Sequence, residues 1–239
     1  MAEPIRMALL WRCASEPDPA LSTVCYALNK QLRQLQTAWG IDARIEAATP
    51  DGDDDSVYRI YVSDDPRKFA AELSGLTGAH RQIGNKVLAI VQLTDHWTRT
   101  VSHEMLETAR NPKLDQWVRH PSPIAGQGEV DYFVEICDPC QATTYAIDGI
   151  EVCEFCTPEY FDDRSPPGSR LTANNLAERP FQVLDGGIQR WRVPKAGGGF
   201  EIYSTEEGAV GDYDGGANRA PLYRNRQDIL HYRPTSTAG

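Results

Sequence analysis

The stretch Trp97-Thr-Arg-Thr-Val-Ser-His-Glu-Met-Leu-Glu-Thr-Ala-Arg110 decides the fold that the sequence predicts, because it joins a helical pattern to potential metal-binding side chains. A stripe that can pack on a sheet recurs in it at helical spacing. Its members are Trp97, Val101, Met105 and Thr108. Pro112 follows closely, and the residue before a proline disfavours helix. We therefore predict an amphipathic helix over residues 95–110.

The same stretch contains His103-Glu-Met-Leu-Glu107, an HExxE pattern. Residues four apart project from one helical face. In the HExxH arrangement of zinc peptidases, this offset directs two ligands at one ion, and the intervening Glu acts as general base. We predict His103 and Glu107 as metal ligands and Glu104 as the base. An ordinary amphipathic helix with an exposed acidic edge is the alternative for so short a pattern.

The residues before this helix predict an alternation of strands and helices. The expected elements are a strand at 5–12, a helix from Asp18-Pro19 to about Gly40, strands at 42–48 and 57–62, a short helix at 66–73, a loop at 75–84 and an apolar strand at 86–93. The acidic run 51–55 is expected to be a solvated turn.

This order resembles the amino-terminal subdomain of zincin-type metallopeptidases, over roughly the first half of the chain. Glu107 stands where those enzymes have a second His. The phrases Ser102-His-Glu-Met-Leu-Glu107, Glu135-Ile-Cys-Asp-Pro139 and Cys156-Thr-Pro-Glu-Tyr-Phe161 are also similar to a family of little-characterised bacterial and phage proteins. That second resemblance implies no established substrate. The order of elements and the first resemblance imply an α+β fold, with a zincin-like mixed sheet and an HExxE helix followed by a β-rich region.

A metal site of this kind needs a third protein ligand from a later segment. Residues 128–139 alternate in a way that predicts a strand, with Glu135 and Cys137 on one side and Asp138 at its end. Asp138 is the predicted third ligand, and a turn-forming Asp-Pro is its alternative. Glu135 is either another ligand or a group that orients His103. The carboxylates suit manganese or iron as well as zinc, which the resemblance favours.

The remaining histidines carry no motif. They are His80, His96, His120 and His231, and each is expected to be a surface or hydrogen-bonded residue.

Four cysteines form two CxxC pairs around a predicted hairpin at 145–152, whose turn is Asp148-Gly149. The pairs are Cys137 with Cys140 and Cys153 with Cys156. Their spacing resembles a zinc ribbon, so a structural tetrathiolate zinc is one expectation, and disulfides or plain buried thiols are the others. Cys13 and Cys25 are expected to be core residues.

Three regions follow from this reading. Residues 1–120 form the zincin-like subdomain, 121–195 a β-rich subdomain with the CxxC pairs, and 196–239 an irregular C-terminal arm that could contact a protein partner. A further hairpin is expected at 181–193.

Charge and hydropathy limit the function classes. The chain has 239 residues, a net charge of −10 and a pI near 5.0, which argues against nucleic-acid binding. No apolar run approaches the roughly 20 residues of a membrane span, and the first residues lack an export signal. The expectation is a cytoplasmic protein without membrane contact.

The sequence thus predicts a metal-dependent hydrolase, most naturally a peptidase acting on a peptide or protein. The alternative is a non-catalytic, metal-stabilised scaffold or interaction protein, perhaps from a phage-related particle. A zinc-ribbon adaptor for nucleic acid is disfavoured by the charge.

Overall fold

The structure, a computed structural model, describes residues 3–48, 57–69, 77–83, 86–205 and 208–213. Over these residues the chain is α+β, with two α-helices, two five-stranded sheets and one separate hairpin. The predicted α+β class is therefore confirmed. No helix in these ranges has the length and apolar character needed to cross a membrane.

The first sheet is mixed and has the strand order β2-β1-β3-β5-β4. Its strands are β1 (Ile5–Arg12), β2 (Ala43–Ala48), β3 (Val57–Ser63), β4 (Gly78–Ile83) and β5 (Lys86–Gln92). The first three pairings are parallel, whereas β4 lies antiparallel to β5 at the sheet edge.

Helix α1 (Leu21–Trp39) connects β1 to β2 and buries one apolar face. It ends at Gly40, whose φ of 69° is the left-handed conformation that glycine adopts without strain. The Gly40 N–H donates to the carbonyl of Gln36 at 2.8 Å, so the last helical turn is capped.

Helix α2 (Trp97–Arg110) follows β5 almost directly and is the predicted HExxE helix. All four members of its predicted stripe are buried. Its other side meets the separate hairpin, where the Thr98 hydroxyl donates to the carbonyl of Glu151 at 3.0 Å. Because α2 is covered on both sides, several of its polar side chains are also buried, among them Ser102, Glu104 and Glu107.

The second sheet is antiparallel and has the order β12-β11-β10-β7-β6. Its strands are β6 (Trp117–Pro121), β7 (Glu129–Phe133), β10 (Arg190–Pro194), β11 (Phe200–Ser204) and β12 (Gly208–Tyr213). The hairpin consists of β8 (Thr144–Ile147) and β9 (Ile150–Cys153).

The hairpin predicted at 145–152 is confirmed. Asp148 and Gly149 have φ values of 53° and 80°, and two positive φ angles in a row are typical of a type I′ turn. The Lys30 ammonium lies 2.5 Å from the Asp148 carboxylate, so the turn also contacts α1.

Two predictions before α2 are wrong. The segment predicted as a loop at 75–84 contains β4, an edge strand that is hydrogen-bonded to β5. Its sequence shows no apolar alternation, so the pattern of residues alone does not predict a strand there. The helix predicted at 66–73 is a 3₁₀ turn at Pro66–Lys68, capped by Asp65. The rest of that prediction, 70–73, and the acidic run 51–55 lie outside the described residues.

Three predictions after α2 also need correction. The strand predicted at 128–139 ends at Phe133, so neither Glu135 nor Cys137 lies on it. The hairpin predicted at 181–193 is only the single strand β10, which pairs with β7 and β11. Residues 200–213 of the expected irregular arm include β11 and β12, because backbone pairing in the second sheet compensates for their weak apolar pattern. Residues 214–239 lie outside the described part.

One core joins residues on both sides of the boundary predicted at residue 120. Met105 of α2 belongs to the same buried cluster as Ile136, Val152 and Tyr160. The segment after β7 therefore packs directly on the HExxE helix.

A buried polar network ties α2 to α1 and the hairpin. The Ser102 hydroxyl donates to Gln31 Oε1 at 2.7 Å and accepts the Cys153 N–H at 2.9 Å. Gln31 Nε2 in turn donates to the Cys153 carbonyl at 2.7 Å. Buried polar groups are stable only when their hydrogen bonds are made, so this network fixes how the three elements dock.

Replacing Ser102 with Ala should therefore destabilise the fold by about 1–3 kcal/mol, because the Cys153 N–H and Gln31 Oε1 lose their buried partner. Urea unfolding followed by circular dichroism measures the change. Thr37→Ala is the control, since this exposed hydroxyl bonds only to the Arg33 carbonyl on its own helix. Equal stability of the two variants would contradict the assigned role of the network.

Candidate metal centre

The structure brings together the three side chains predicted as metal ligands. His103 Nε2 lies 3.1 Å from Glu107 Oε1 and 3.5 Å from Asp138 Oδ1. One donor atom from each of the three residues lies within 4.8 Å of the others. Donors around a small tetrahedral ion with bonds of about 2.1 Å are about 3.4 Å apart, so this spacing fits a cation.

Asp138 reaches this position from a 3₁₀ turn, Asp138–Cys140, rather than from a strand end. The Ile188 N–H donates to the Asp138 carbonyl at 2.8 Å, which ties the turn to the approach to β10. The guanidinium of Arg190 pairs with Asp138 Oδ2. Oδ1 is therefore the oxygen left facing His103, and Arg190 offsets part of the negative charge at the site.

A glycine allows this turn to sit close to the following chain. A Cβ placed on Gly187 would lie 2.1 Å from the carbonyl oxygen of Pro139, which is far inside van der Waals contact. The Leu184 N–H donates to the same carbonyl at 2.9 Å. The position of Asp138 thus depends on the absence of a side chain at 187.

Glu107 is buried and uses both carboxylate oxygens. Oε1 faces His103 and also accepts the Cys137 N–H at 3.3 Å, whereas Oε2 lies 3.5 Å from His80 Nδ1. Burial alone would raise the pKa of Glu107, but the charge and hydrogen bond of His103 outweigh it and hold the pKa well below 4.5. Glu107 is therefore ionised.

The imidazole of His103 has different neighbours on its two nitrogens. Nε2 faces the carboxylates, and Nδ1 lies 3.8 Å from Cys153 Sγ. Burial opposes the charged imidazole, but Glu107, Asp138 and Cys153 together raise the pKa of His103 well above 6.5. Without a bound cation, His103 therefore carries a proton at neutral pH.

Glu104, the predicted base, is buried beside the same group. Its Oε1 faces Gly78 of β4, where a Cβ would lie only 2.6 Å away, and its Oε2 lies 3.6 Å from His80 Nδ1. Burial raises the pKa of Glu104 above 4.5, partly opposed by His80 and His103. The carboxyl group can thus exchange a proton nearer to neutral pH than an exposed Glu.

Glu135 lies next to the site, where it contacts Asn111 and His80. Asn111 Nδ2 donates to its Oε1 at 3.2 Å, and its Oε2 lies 3.6 Å from His80 Nδ1. Burial and the charge of Glu107 raise the pKa of Glu135 well above 4.5. Its contacts place it with His80 rather than in the predicted role of orienting His103.

His80 is the main residue that sequence reasoning missed. It lies on β4, its side chain is only 4% exposed, and three carboxylates surround its Nδ1. The sequence predicts an ordinary surface or hydrogen-bonded histidine here, because the segment around it reads as a loop. The dipeptide Gly84-Asn85 just before the apolar strand is a hairpin signal that could have revealed β4.

The other histidines lie elsewhere. His96 is largely exposed and contacts Glu151 at 3.0 Å. His120 contacts Asp163 at 3.1 Å and forms, with Asp162, a separate group of three potential ligands nearer the surface. His231 lies outside the described residues.

The four cysteines of the CxxC pairs are buried and approach one another as two cross-pairs. Cys140 Sγ and Cys156 Sγ are 4.0 Å apart, while Cys137 and Cys153 group with His103 within 4.8 Å. All six cysteines of the chain are free thiols in the structure. This agrees with the expectation of plain thiols and not with the expectation of disulfides. Among the described residues no ion-sized group contains all four sulfurs, and the tetrathiolate zinc stays a prediction.

The donor set fits a divalent cation. It combines an imidazole nitrogen with carboxylate oxygens, which ligate zinc, manganese and iron. Glu104 Oε2 is buried yet has no hydrogen-bond partner, and such a group is costly unless something else compensates it. Three converging ligands with a carboxyl group beside them can bind an ion and move a proton next to it.

No protein-family model, curated protein or solved structure matches this chain. The function therefore has to be argued from the chemistry of the site itself.

Adding a methyl group at Gly187 should push the Pro139 carbonyl away and move Asp138. We expect Gly187→Ala to weaken zinc binding about 10- to 100-fold, as changes that misplace metal ligands do. Isothermal titration calorimetry measures the affinity. Gly197→Ala is the control, since a Cβ there meets no atom within 4 Å. Unchanged zinc affinity in Gly187→Ala would contradict the inference that the close approach at residue 187 positions a zinc ligand.

Zinc binding should also release a proton, because an ion on His103 Nε2 must displace the proton that the raised pKa keeps there. The apparent affinity should therefore rise as pH increases through and above 6.5, by up to about tenfold per pH unit for one displaced proton. Calorimetry in two buffers of different ionisation enthalpy counts the protons. A pH-independent affinity without proton release would exclude His103 as a ligand.

Proposed function

We propose that this chain is a metal-dependent hydrolase with a zincin-like arrangement, most naturally a peptidase, with its ion held by His103, Glu107 and Asp138. The observation that carries the proposal is the convergence of these three donors, with separations of 3.1 and 3.5 Å from His103 Nε2. Two of them come from one helical turn and the third from a distant segment. Zinc is the proposed ion, and another divalent metal is compatible with the carboxylates.

A dication at this position would polarise a substrate carbonyl and lower the pKa of a water molecule. Glu107 and Asp138 offset its charge, and Arg190 holds the second oxygen of Asp138 away from the site. The helix and the turn fix these side chains before any ligand arrives, so little reorganisation accompanies binding.

Glu104 is the proposed general base. As the water oxygen attacks the carbonyl carbon, the Glu104 carboxylate takes a proton from the water. The resulting carboxylic acid gives that proton to the leaving amine when the C–N bond breaks. The raised pKa of Glu104 suits this exchange, because proton transfer is most efficient when the pKa of the group lies near the working pH.

A peptide or protein is the proposed substrate class, and no nucleic acid is expected because of the net charge of −10. A cytoplasmic location belongs to the same proposal. A protein partner for the C-terminal residues stays a prediction, since 214–239 lie outside the described part.

The variant Glu104→Gln should lose about 10²- to 10⁴-fold in peptide hydrolysis, because the amide cannot accept the proton. Zinc at the site of His103 should stay bound, since Glu104 is not one of its three ligands. Cleavage of a peptide library by mass spectrometry and zinc content by elemental analysis give the two readouts. Glu46→Gln, an exposed carboxylate on β2, serves as control. Full activity of Glu104→Gln would refute the base role.

A non-catalytic, metal-stabilised scaffold is the second candidate, as the resemblance to phage proteins allows. The observation that favours it is burial: the side chains of His103, Glu107 and Asp138 are 14%, 4% and 12% exposed. A fourth protein ligand on the ion would support a scaffold, whereas a position open to water and a substrate would support an enzyme.

A further inference from the structure

A second set of donors lies on the other side of Glu107. It is centred on His80 Nδ1, which is 3.6 Å from Glu104 Oε2, 3.5 Å from Glu107 Oε2 and 3.6 Å from Glu135 Oε2. All four side chains are at most 7% exposed. The group is therefore an assembly of one imidazole and three carboxylates in the protein interior.

These separations are too long for good hydrogen bonds, which at this kind of nitrogen measure about 2.7–3.2 Å. They match instead the spacing of about 3.4 Å between donors that share a small cation. His80, Glu104 and Glu107 each offer one donor atom, and these atoms lie within 4.8 Å of one another. Glu135 adds an oxygen next to them.

Two atoms of this group lack a hydrogen-bond partner. They are Glu104 Oε2 and His80 Nε2, both in side chains at least nine-tenths buried. The unpartnered Glu104 oxygen is the one that faces His80 Nδ1. A buried carboxylate oxygen without a donor is strongly unfavourable unless something compensates its charge, and a cation at this point would do so.

We propose that His80, Glu104 and Glu107 hold a second divalent cation, with Glu135 as an additional oxygen donor, and that Glu107 bridges it to the first. The two Glu107 oxygens face opposite ways, Oε1 toward His103 and Oε2 toward His80. Carboxylate-bridged ions in two-metal sites are typically about 3.5–4 Å apart. The structure thus assigns to this chain a dinuclear centre in which Glu107 is the shared ligand.

Charge is consistent with two ions. Four carboxylates, those of Glu104, Glu107, Glu135 and Asp138, match the charge of two dications, so that the Arg190 guanidinium on Asp138 leaves an excess of only one positive charge and the two histidines bind as neutral ligands. Oxygen-rich ligation with one imidazole per ion suits Mn²⁺ particularly well. Mn²⁺ is therefore a suitable probe for both positions, including the first, for which zinc is the proposed ion and another divalent metal is compatible.

The proposed second ion depends on the proposed function in one respect only, which is that Glu107 also binds the first ion. It also constrains the role of Glu104, because a carboxylate that ligates the second ion is not free to act as a base. With one ion bound, Glu104 is the base. With two, it is a ligand, and the ion count distinguishes the two states.

The test uses the full-length protein loaded with Mn²⁺ alone and freed of excess by gel filtration. Elemental analysis should find two ions per chain, and electron paramagnetic resonance should show a spin-coupled pair instead of the six-line signal of isolated Mn²⁺. His80→Phe should reduce the count to one and restore the six-line signal. Glu104→Gln preserves the side-chain shape and should also reduce the count, which keeps the test valid if His80→Phe does not fold.

His120→Phe is the matched control, because His120 also lies among carboxylates and the change keeps its ring contact with Phe181. It should leave the count at two. A wild-type count of one that His80→Phe does not change would overturn the second site while leaving the first ion intact. A count that falls in His120→Phe would place the second ion at that surface group and also overturn the proposal. No bound ion at all would overturn the proposed function together with the dinuclear centre.

Discussion

Burial of the Glu107 carboxylate is the interaction on which the rest of the site depends. A lone buried carboxylate would become protonated, yet Glu107 stays ionised because one imidazole faces each of its oxygens. These imidazoles come from β4 and from α2 itself, so the edge strand and the helix must dock in one register. The same pairing brings Glu104 and Asp138 into the same group, since each of them also contacts one of the two histidines.

Uncharged hydrogen-bonding residues in the surrounding fold help to hold the buried Glu107 in place. Ser102 lies one residue before His103 and fixes the helix against α1 and the hairpin. Asn111 closes the other end of α2, where its Oδ1 accepts the Asp115 and Gln116 N–H groups and its Nδ2 donates to Glu135. Polar residues on both sides of the HExxE pattern thus hold the helix in place at both ends of the site.

The sequence predicts what short-range pattern determines. The periodicity of α1 and α2, the apolar strand β5 and the turn at Asp148-Gly149 are all local signals, and so is the pairing of His103 with Glu107 on one helical face. Prediction from the sequence fails where the position of a residue depends on partners that are distant along the chain. His80 sits on an edge strand whose neighbours define it, and Arg190 meets Asp138 across a separation of 52 residues. The strand pattern places Asp138 at a strand end, so it does not predict the 3₁₀ turn from which this side chain reaches His103.

The cysteines complete the electrostatic argument. An ion on His103 Nε2 requires the proton on Nδ1, and a histidine ligand is usually oriented by an acceptor at that nitrogen. In this chain the neighbour of Nδ1 is the Cys153 sulfur, whose pKa is lowered to about 7 by a hydrogen bond from Cys137, against the effect of burial, with further help from His103. A cysteine sulfur therefore takes the place that a carboxylate or carbonyl commonly fills. The imidazole of His103 thus lies between carboxylate oxygens on one side and the Cys153 sulfur on the other, which connects the CxxC pairs to the candidate metal site.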